Sequence, residues 1–441
     1  MADVFPFRGV LYNPEKIQNL SEVVAPPYDV ISPEEQESFY ARNENNVIRL
    51  ILGKATETDS PDNNPHTRAA AFLKRCMDEG ILVQDSENAM YVTSVEFDAY
   101  GKKAVRYGLI ARVKLETFDK GVILPHEKTF SKVKTERLGL MKNCKVNDSQ
   151  IFSLYRDHSG IFSFITDSVK NIAPVADIYD DKNERHKLWK LTDKKTVDFI
   201  TEAMKKEVLY IADGHHRYET GLNYREFLKS DLPGFDETHP ANYIMMYLSS
   251  MADPGLVIFP THRVFPELKE EILGSFEKKA AEFFDIKEFQ YGSDPYTALA
   301  TLGEERAKAL DDCPSIGVAI KDKKCFYLLT LKKGVMESKY PSIPACLRHL
   351  DVTVLTNLII SDVLGLDPAA LDNEKLLVYT SYEKNAADMV LKGDAAISFL
   401  LSSTKMKQVQ DVAENGDVMP RKTTYFYPKA LTGLVMHKLT V

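Results

Sequence analysis

The apolar run Val208-Leu-Tyr-Ile-Ala212 stops at Asp213-Gly214, and a helix-forming stretch from about His216 to Lys229 follows at once. A short apolar run bounded by a turn signal suits a buried strand, and strand, Asp-Gly turn and helix in that order make one α/β unit. Gly214 admits the positive φ that a tight turn requires. His215, His216 and Arg217 then crowd the first turn of the helix, whose free N–H groups and positive dipole end favour an anion. The junction is thus a candidate phosphate site. Arg217 has the fork to grip two phosphate oxygens, and His215 or His216 can donate a hydrogen bond or offset charge during transfer. The plainer reading, a capped helix with solvated His and Arg, stays open. Asp213 is either an oxygen ligand for Mg²⁺ or a turn residue accepting backbone hydrogen bonds. Zinc on His215 and His216 is disfavoured, because neighbours on a helix point about 100° apart.

Around this unit the pattern alternates between helix and strand. Ser32, Pro33 and Glu35 form a capping-box start, and residues 65 to 80 carry apolar positions at helical spacing up to Gly80. Period-two alternation on both sides of Ala99-Tyr100-Gly101-Lys102 predicts a hairpin leading to the polar loop Leu124–Thr129. Residues 132 to 145 read as helix, 150 to 155 and 161 to 166 as short strands, and Val197, Phe199, Ile200 and Met204 as one helix. A helix near 267 to 283 and a hairpin over SIGVAI, KDKK and CFYLLTL suggest a second module. From about Leu347 helices alternate with short strands. The expected segments are 1–265, with phosphate-binding chemistry and insertions, 266–345, a small α/β module, and 346–441, a C-terminal α/β region contributing a basic loop.

With 441 residues the chain is too long for one compact core. The apolar runs fall short of the ~18 residues of a membrane span, and five dispersed cysteines form no C-x-x-C pair. These features predict a soluble cytoplasmic protein without a disulfide framework. A balance of 56 basic against 64 acidic residues, net −8, provides no field for a nucleic-acid backbone. The expected partner is a small-molecule substrate, not nucleic acid or membrane, with self-association into a homo-oligomer left open. No G-x-x-x-x-G-K-[ST], G-x-G-x-x-G after a strand or G-x-S-x-G occurs, which disfavours P-loop enzymes, dinucleotide enzymes and serine hydrolases.

The element Ala212-Asp-Gly-His-His-Arg-Tyr-Glu219 resembles the phosphate-grasping motif of the ParB/sulfiredoxin-like superfamily, especially its free serine kinases. Together with FRGVLYNP, VVAPPYDVIS, LPHEKT, FPTHRV and MPRKTTYFYPK, it is also similar to a bacterial and archaeal family of unknown function, over nearly the whole chain. The resemblance implies a mixed α/β (α+β) fold with a ParB/sulfiredoxin-like nucleotide-handling core and additional α/β modules. It matches the His-Glu of the kinases' upstream loop to His126-Glu127 and implies that Glu127 is the base, with His216 beside it and His126 and Thr129 contacting substrate. From the residues alone, Glu127 is equally a surface glutamate beside Lys128.

Near the C-terminus, Lys422, Thr423, Thr424 and Lys429 suggest a second phosphate clamp, or else a strand with a solvated basic face. Pro260–Arg263 and Ala25–Asp29 read more as turns, and Arg8 and Arg137 have no assigned role. The leading expectation is a small-molecule kinase using ATP, ADP or pyrophosphate with Mg²⁺ to phosphorylate a hydroxyl, with L-serine implied by resemblance. The alternative is a nucleotide-binding switch protein related to ParB without kinase activity.

Overall fold

A computed structural model describes residues 1–367 and 376–440. The fold is mixed α/β, in two compact units: Met1–Val257 with Phe426–Val441, and Ile258–Tyr425. These bounds differ from the three segments expected from sequence. The reason lies in strand pairing: Ser315–Ile320 of the expected middle segment is antiparallel to Ile397–Leu400 of the expected last one. Both therefore belong to one six-stranded sheet, which also contains His262–Phe265.

The first unit is built on a nine-stranded sheet. Its order is Ile123–Leu124, Leu209–Asp213, Ile151–Tyr155, Tyr243–Ser250, Lys102–Lys114, Met90–Ala99, Arg185–Leu191 and Ala176–Tyr179, with Val4–Phe5 also on Lys102–Lys114. The expected hairpin closes with Ala99 opposite Lys102. Tyr100 and Gly101 both take positive φ, 55° and 78°, as a two-residue hairpin turn that matches strand twist requires. The capping box is present too: the Ser32 hydroxyl accepts the Glu35 N–H and the Glu35 carboxylate accepts the Ser32 N–H.

One expected strand is a helix. Residues 161 to 166 lie within the helix Ile161–Val169, which buries Ile161, Ile165 and Val169. The Asp157 carboxylate accepts the N–H groups of Ile161 at 2.5 Å and Phe162 at 3.1 Å, satisfying donors a helix start leaves open. A six-residue apolar run does not distinguish strand from helix, and the spacing of Val169 from Ile165 decides it.

A four-stranded sheet holds the C-terminal segment in this unit. Met436–Lys438 lies between Gly9–Tyr12 and Val146–Asn147, and Leu82–Gln84 flanks Gly9–Tyr12. Among the described residues, no helix is long and apolar enough to cross a membrane.

Candidate functional site

The strand Leu209–Asp213 and the helix His215–Asp231 form the expected strand-turn-helix unit. Two features of the backbone aim its end. A register shift between Ile211 and Asp213 against Ile151–Tyr155 breaks the regular alternation just before Asp213, the re-aiming that a bulge produces. Gly214 follows at φ +93°, and a Cβ there would lie 2.9 Å from the Arg217 guanidinium. A larger residue would meet both backbone strain and a clash.

Ile123–Leu124 runs parallel to this strand, with Ile123 opposite Leu209 and Leu124 opposite Tyr210. The loop that continues from it therefore reaches the same sheet end as the Asp-Gly turn. The His126 N–H donates to His215 Nε2 at 3.3 Å, and the Phe130 N–H donates to His216 Nε2 at 3.0 Å. Because His215 Nε2 accepts, the neutral ring carries its proton on Nδ1, and that atom lies 3.9 Å from Glu127 Oε2. Burial, reinforced by neighbouring His126, holds the His215 pKa well below its ordinary value. Burial likewise lowers His126 to about 4. Both rings are thus neutral hydrogen-bonding groups near pH 7, packed edge to face with centroids 4.8 Å apart. The Thr129 hydroxyl donates to Glu219 Oε1 at 2.7 Å, and Lys134 reaches the other Glu219 oxygen at 2.5 Å. Thr129 clasps the loop to the helix.

Asp213 is the electrostatic centre. Arg217 Nη2 donates to its Oδ2 at 2.8 Å, while Arg217 Nη1 donates to the Gln150 carbonyl at 2.6 Å. Its Oδ1 accepts from the Lys429 ammonium. Burial acts to raise the Asp213 pKa, but Lys429 and then Arg217 outweigh it and hold the carboxyl at about 2. Lys429 is placed by Arg106, which is 1% exposed. Arg106 donates to the Tyr247 hydroxyl at 2.9 Å, the Tyr427 carbonyl at 2.9 Å and the Pro428 carbonyl at 2.7 Å.

The Mg²⁺ reading of Asp213 does not fit this arrangement. Each oxygen already bonds a cation, so a metal ion would have to displace the Lys429 ammonium or the Arg217 guanidinium. Arg217 is likewise engaged by Asp213 and Gln150 and buried at 8% exposure. It also lines a cavity of about 30 Å³, together with Arg137, Asp148, Ser149 and Thr220. The Arg137 guanidinium lies 4.0 Å from the Tyr28 ring centroid, and burial, then Asp29, pushes the Tyr28 hydroxyl up to about 12. Sequence reading left Arg137 without a role and placed Tyr28 in a turn. Nothing local in the sequence ties Tyr28 to Arg137, which lies far along the chain.

The structure therefore brings His126, Glu127, Thr129, Asp213, Gly214, His215, His216, Arg217 and Lys429 to one end of one sheet. Lys422, Thr423 and Thr424 belong to the second unit. There Lys422 is exposed with φ +55°, its carbonyl accepts from Arg263 at 2.9 Å, and the Thr423 hydroxyl donates to the Pro420 carbonyl at 2.6 Å.

A mixed α/β unit with a buried charge cluster at a strand-helix junction is the class that fold and site define. The chain belongs to the family described as Protein of unknown function (DUF1015), whose family model matches residues 4–353. No curated protein matches it. Among solved structures it is similar to a free serine kinase variant in complex with AMP, at 12% identity and TM-score 0.37, covering 76% of this chain and 92% of that one. A conserved hypothetical protein from Pyrococcus furiosus matches at 12% identity and TM-score 0.33, over 72% of this chain and 90% of that one. C-terminally truncated SbnI from Staphylococcus aureus matches at 8% and 0.33, over 73% and 85%. Scores of this size carry no argument about activity.

Proposed function

We propose that this chain transfers a phosphoryl group from a nucleotide or pyrophosphate to an alcohol, with free L-serine as acceptor and O-phosphoserine as product. The observation that carries the reading is the parallel pairing of Ile123–Leu124 with Leu209–Tyr210, which sets the Glu127 loop against the first turn of His215–Asp231. It puts a carboxylate beside a neutral imidazole, next to the N-terminus of a 17-residue helix and the Lys429 and Arg217 cations. A base and an anion-favouring corner thus adjoin. The resemblance of the Asp213–Tyr218 turn and of His126-Glu127 to free serine kinases supports the acceptor and the base.

In the proposed step Glu127 takes the hydroxyl proton as the acceptor oxygen bonds phosphorus. The donor's bridging P–O bond breaks, and the leaving oxygen keeps the electron pair. The His215 Nδ1–H faces the Glu127 carboxylate and orients it. Amides of the helix start and the nearby cations offset charge on the transferring group. General-base help of this kind is worth roughly 10²- to 10⁴-fold.

The test is product detection by mass spectrometry after incubation with serine, Mg²⁺ and, separately, ATP, ADP or pyrophosphate. Phosphoserine is expected with at least one donor, and Glu127→Gln is expected to slow turnover by about 10²-fold or more with donor affinity unchanged. Absence of phosphoserine with every donor overturns the reading. Tight nucleotide binding without product would favour the nucleotide switch instead.

A further inference from the structure

A second cluster of chemistry lies in the first unit, on the hairpin turn between Ala176–Tyr179 and Arg185–Leu191. Asp180 Oδ1 accepts the N–H groups of Lys182 and Glu184, both at 2.9 Å. That leaves its Oδ2 facing His186 Nε2 at 3.2 Å. Glu184 adds a third group: ligand atoms of Asp180, Glu184 and His186 all lie within 4.8 Å of one another. Glu184 is 5% exposed and His186 also 5%. Glu184 Oε1 accepts the Tyr427 hydroxyl, and its other oxygen takes no hydrogen bond from any described residue.

The surroundings leave room for a ligand. Asp180 and Glu184 line a cavity of about 230 Å³, whose wall also includes Lys182, Arg42 and Lys429. Two of its cations are already matched: Arg42 pairs with Asp181 at 2.7 Å and Lys429 with Asp213. Two carboxylates and an imidazole therefore share one corner where no described ammonium or guanidinium lies within ion-pair distance of Asp180 or Glu184. A buried carboxylate without a cationic partner is costly. A divalent ion removes that cost.

We infer that Asp180, Glu184 and His186 form a binding site for a first-row divalent transition metal, with its remaining coordination positions open to the 230 Å³ cavity. Ligand bonds of about 2.0–2.2 Å place neighbouring donor atoms roughly 3.0–3.5 Å apart, and the Asp180 to His186 separation falls in that range. An imidazole beside two carboxylates suits Mn²⁺ or Zn²⁺ better than Mg²⁺, which prefers oxygen and retains its waters. The two backbone bonds to Asp180 Oδ1 and the Tyr427 hydroxyl on Glu184 orient the ligands in advance, as outer partners do in metal sites. The hairpin alone would explain the Asp180 bonds to its own turn, but not the inward Glu184.

The inference is independent of the kinase reading. Full-length protein, first stripped with chelator, is titrated with Mn²⁺ and followed by loss of the free-ion EPR signal, with Zn²⁺ as competitor. One site per chain is expected, displaced by Zn²⁺. Glu184→Gln and His186→Gln should each weaken Mn²⁺ affinity by more than about tenfold, with unchanged circular dichroism. Asp213→Asn should leave it within about twofold, because Asp213 is not among the ligands. No saturable Mn²⁺ site in the native chain, or full affinity in a folded Glu184→Gln variant, overturns the assignment. Metal binding without phosphoserine formation would remove the kinase reading and keep this site.

Discussion

Acidification to pH 5 should destabilise the first unit. Three of its histidines are buried and neutral. His126 is held at about 4 and His437 at about 3, each mainly by burial with His437 further lowered by Arg112, and burial then His126 hold His215 well below 6.5. Below the ordinary value of 6.5 an unfolded chain protonates these rings, whereas the folded unit, which holds all three pKa values down by burial, resists protonation. The unfolded state thus binds more protons in that window, and stability is lost as pH falls through it. At pH 5 each ring sits about 1.5 pH units below its unfolded value, which corresponds to about 2 kcal/mol. Three rings give about 6 kcal/mol, or a fall of roughly 10–20 °C in midpoint. Asp213, held at about 2, stays charged throughout and contributes no change there. Asp148 and Glu184, raised by burial, work in the opposite sense, so the figure is a ceiling. Trp189, the one tryptophan of the chain and buried in this unit, reports it directly. Thermal melts followed by its fluorescence at constant ionic strength, stepped from about pH 7.5 to 5, measure the slope. His437→Gln should relieve about a third of the loss. A midpoint that moves by less than about 3 °C refutes the reasoning.

Two further outcomes follow from the charge cluster and its support. Asp213→Asn leaves Lys429 and Arg217 buried without their anion, and should cost about 3–5 kcal/mol in denaturant unfolding. Adding Lys429→Met should recover part of it, and a single-variant cost under about 1 kcal/mol would sink the account of Asp213 as the compensating charge. Arg106→Met removes donors from the Tyr427 and Pro428 carbonyls and should lower stability by roughly 2–4 kcal/mol. It should also speed limited proteolysis between residues 427 and 432, and an unchanged cleavage pattern would show that Arg106 does not anchor Lys429.

Local chemistry made much of this fold readable. The Ser32 to Glu35 capping box, the Tyr100-Gly101 turn and the Leu209–Asp231 strand-turn-helix each carry their signal within a few residues, and each forms where expected. The site is different, because its geometry depends on distant pairings. Nothing near Glu127 in the chain announces that Ile123–Leu124 lies beside Leu209–Asp213, and Lys429 reaches Asp213 across 216 positions. The Asp180, Glu184 and His186 group escaped for another reason. Arg185–Leu191 alternates only imperfectly, with Leu188 and Trp189 both buried, so the period-two signal was weak. At Asp213 the sequence shows a carboxylate but not the two cations that already bond its oxygens.

The first unit is discontinuous, and this shapes how the protein can be made. A nascent chain that has emerged only through residue 425 has neither Lys429 to balance Asp213 nor the strand Met436–Lys438 to bridge Gly9–Tyr12 and Val146–Asn147. Joining segments so distant in sequence is slow, so the half-built unit must wait through synthesis of the whole second unit with Asp213 paired to Arg217 alone and its other oxygen lacking the Lys429 ammonium. Chaperone dependence during translation should therefore concentrate on this interval, and a premature stop between the two units should yield a fragment that cannot mature.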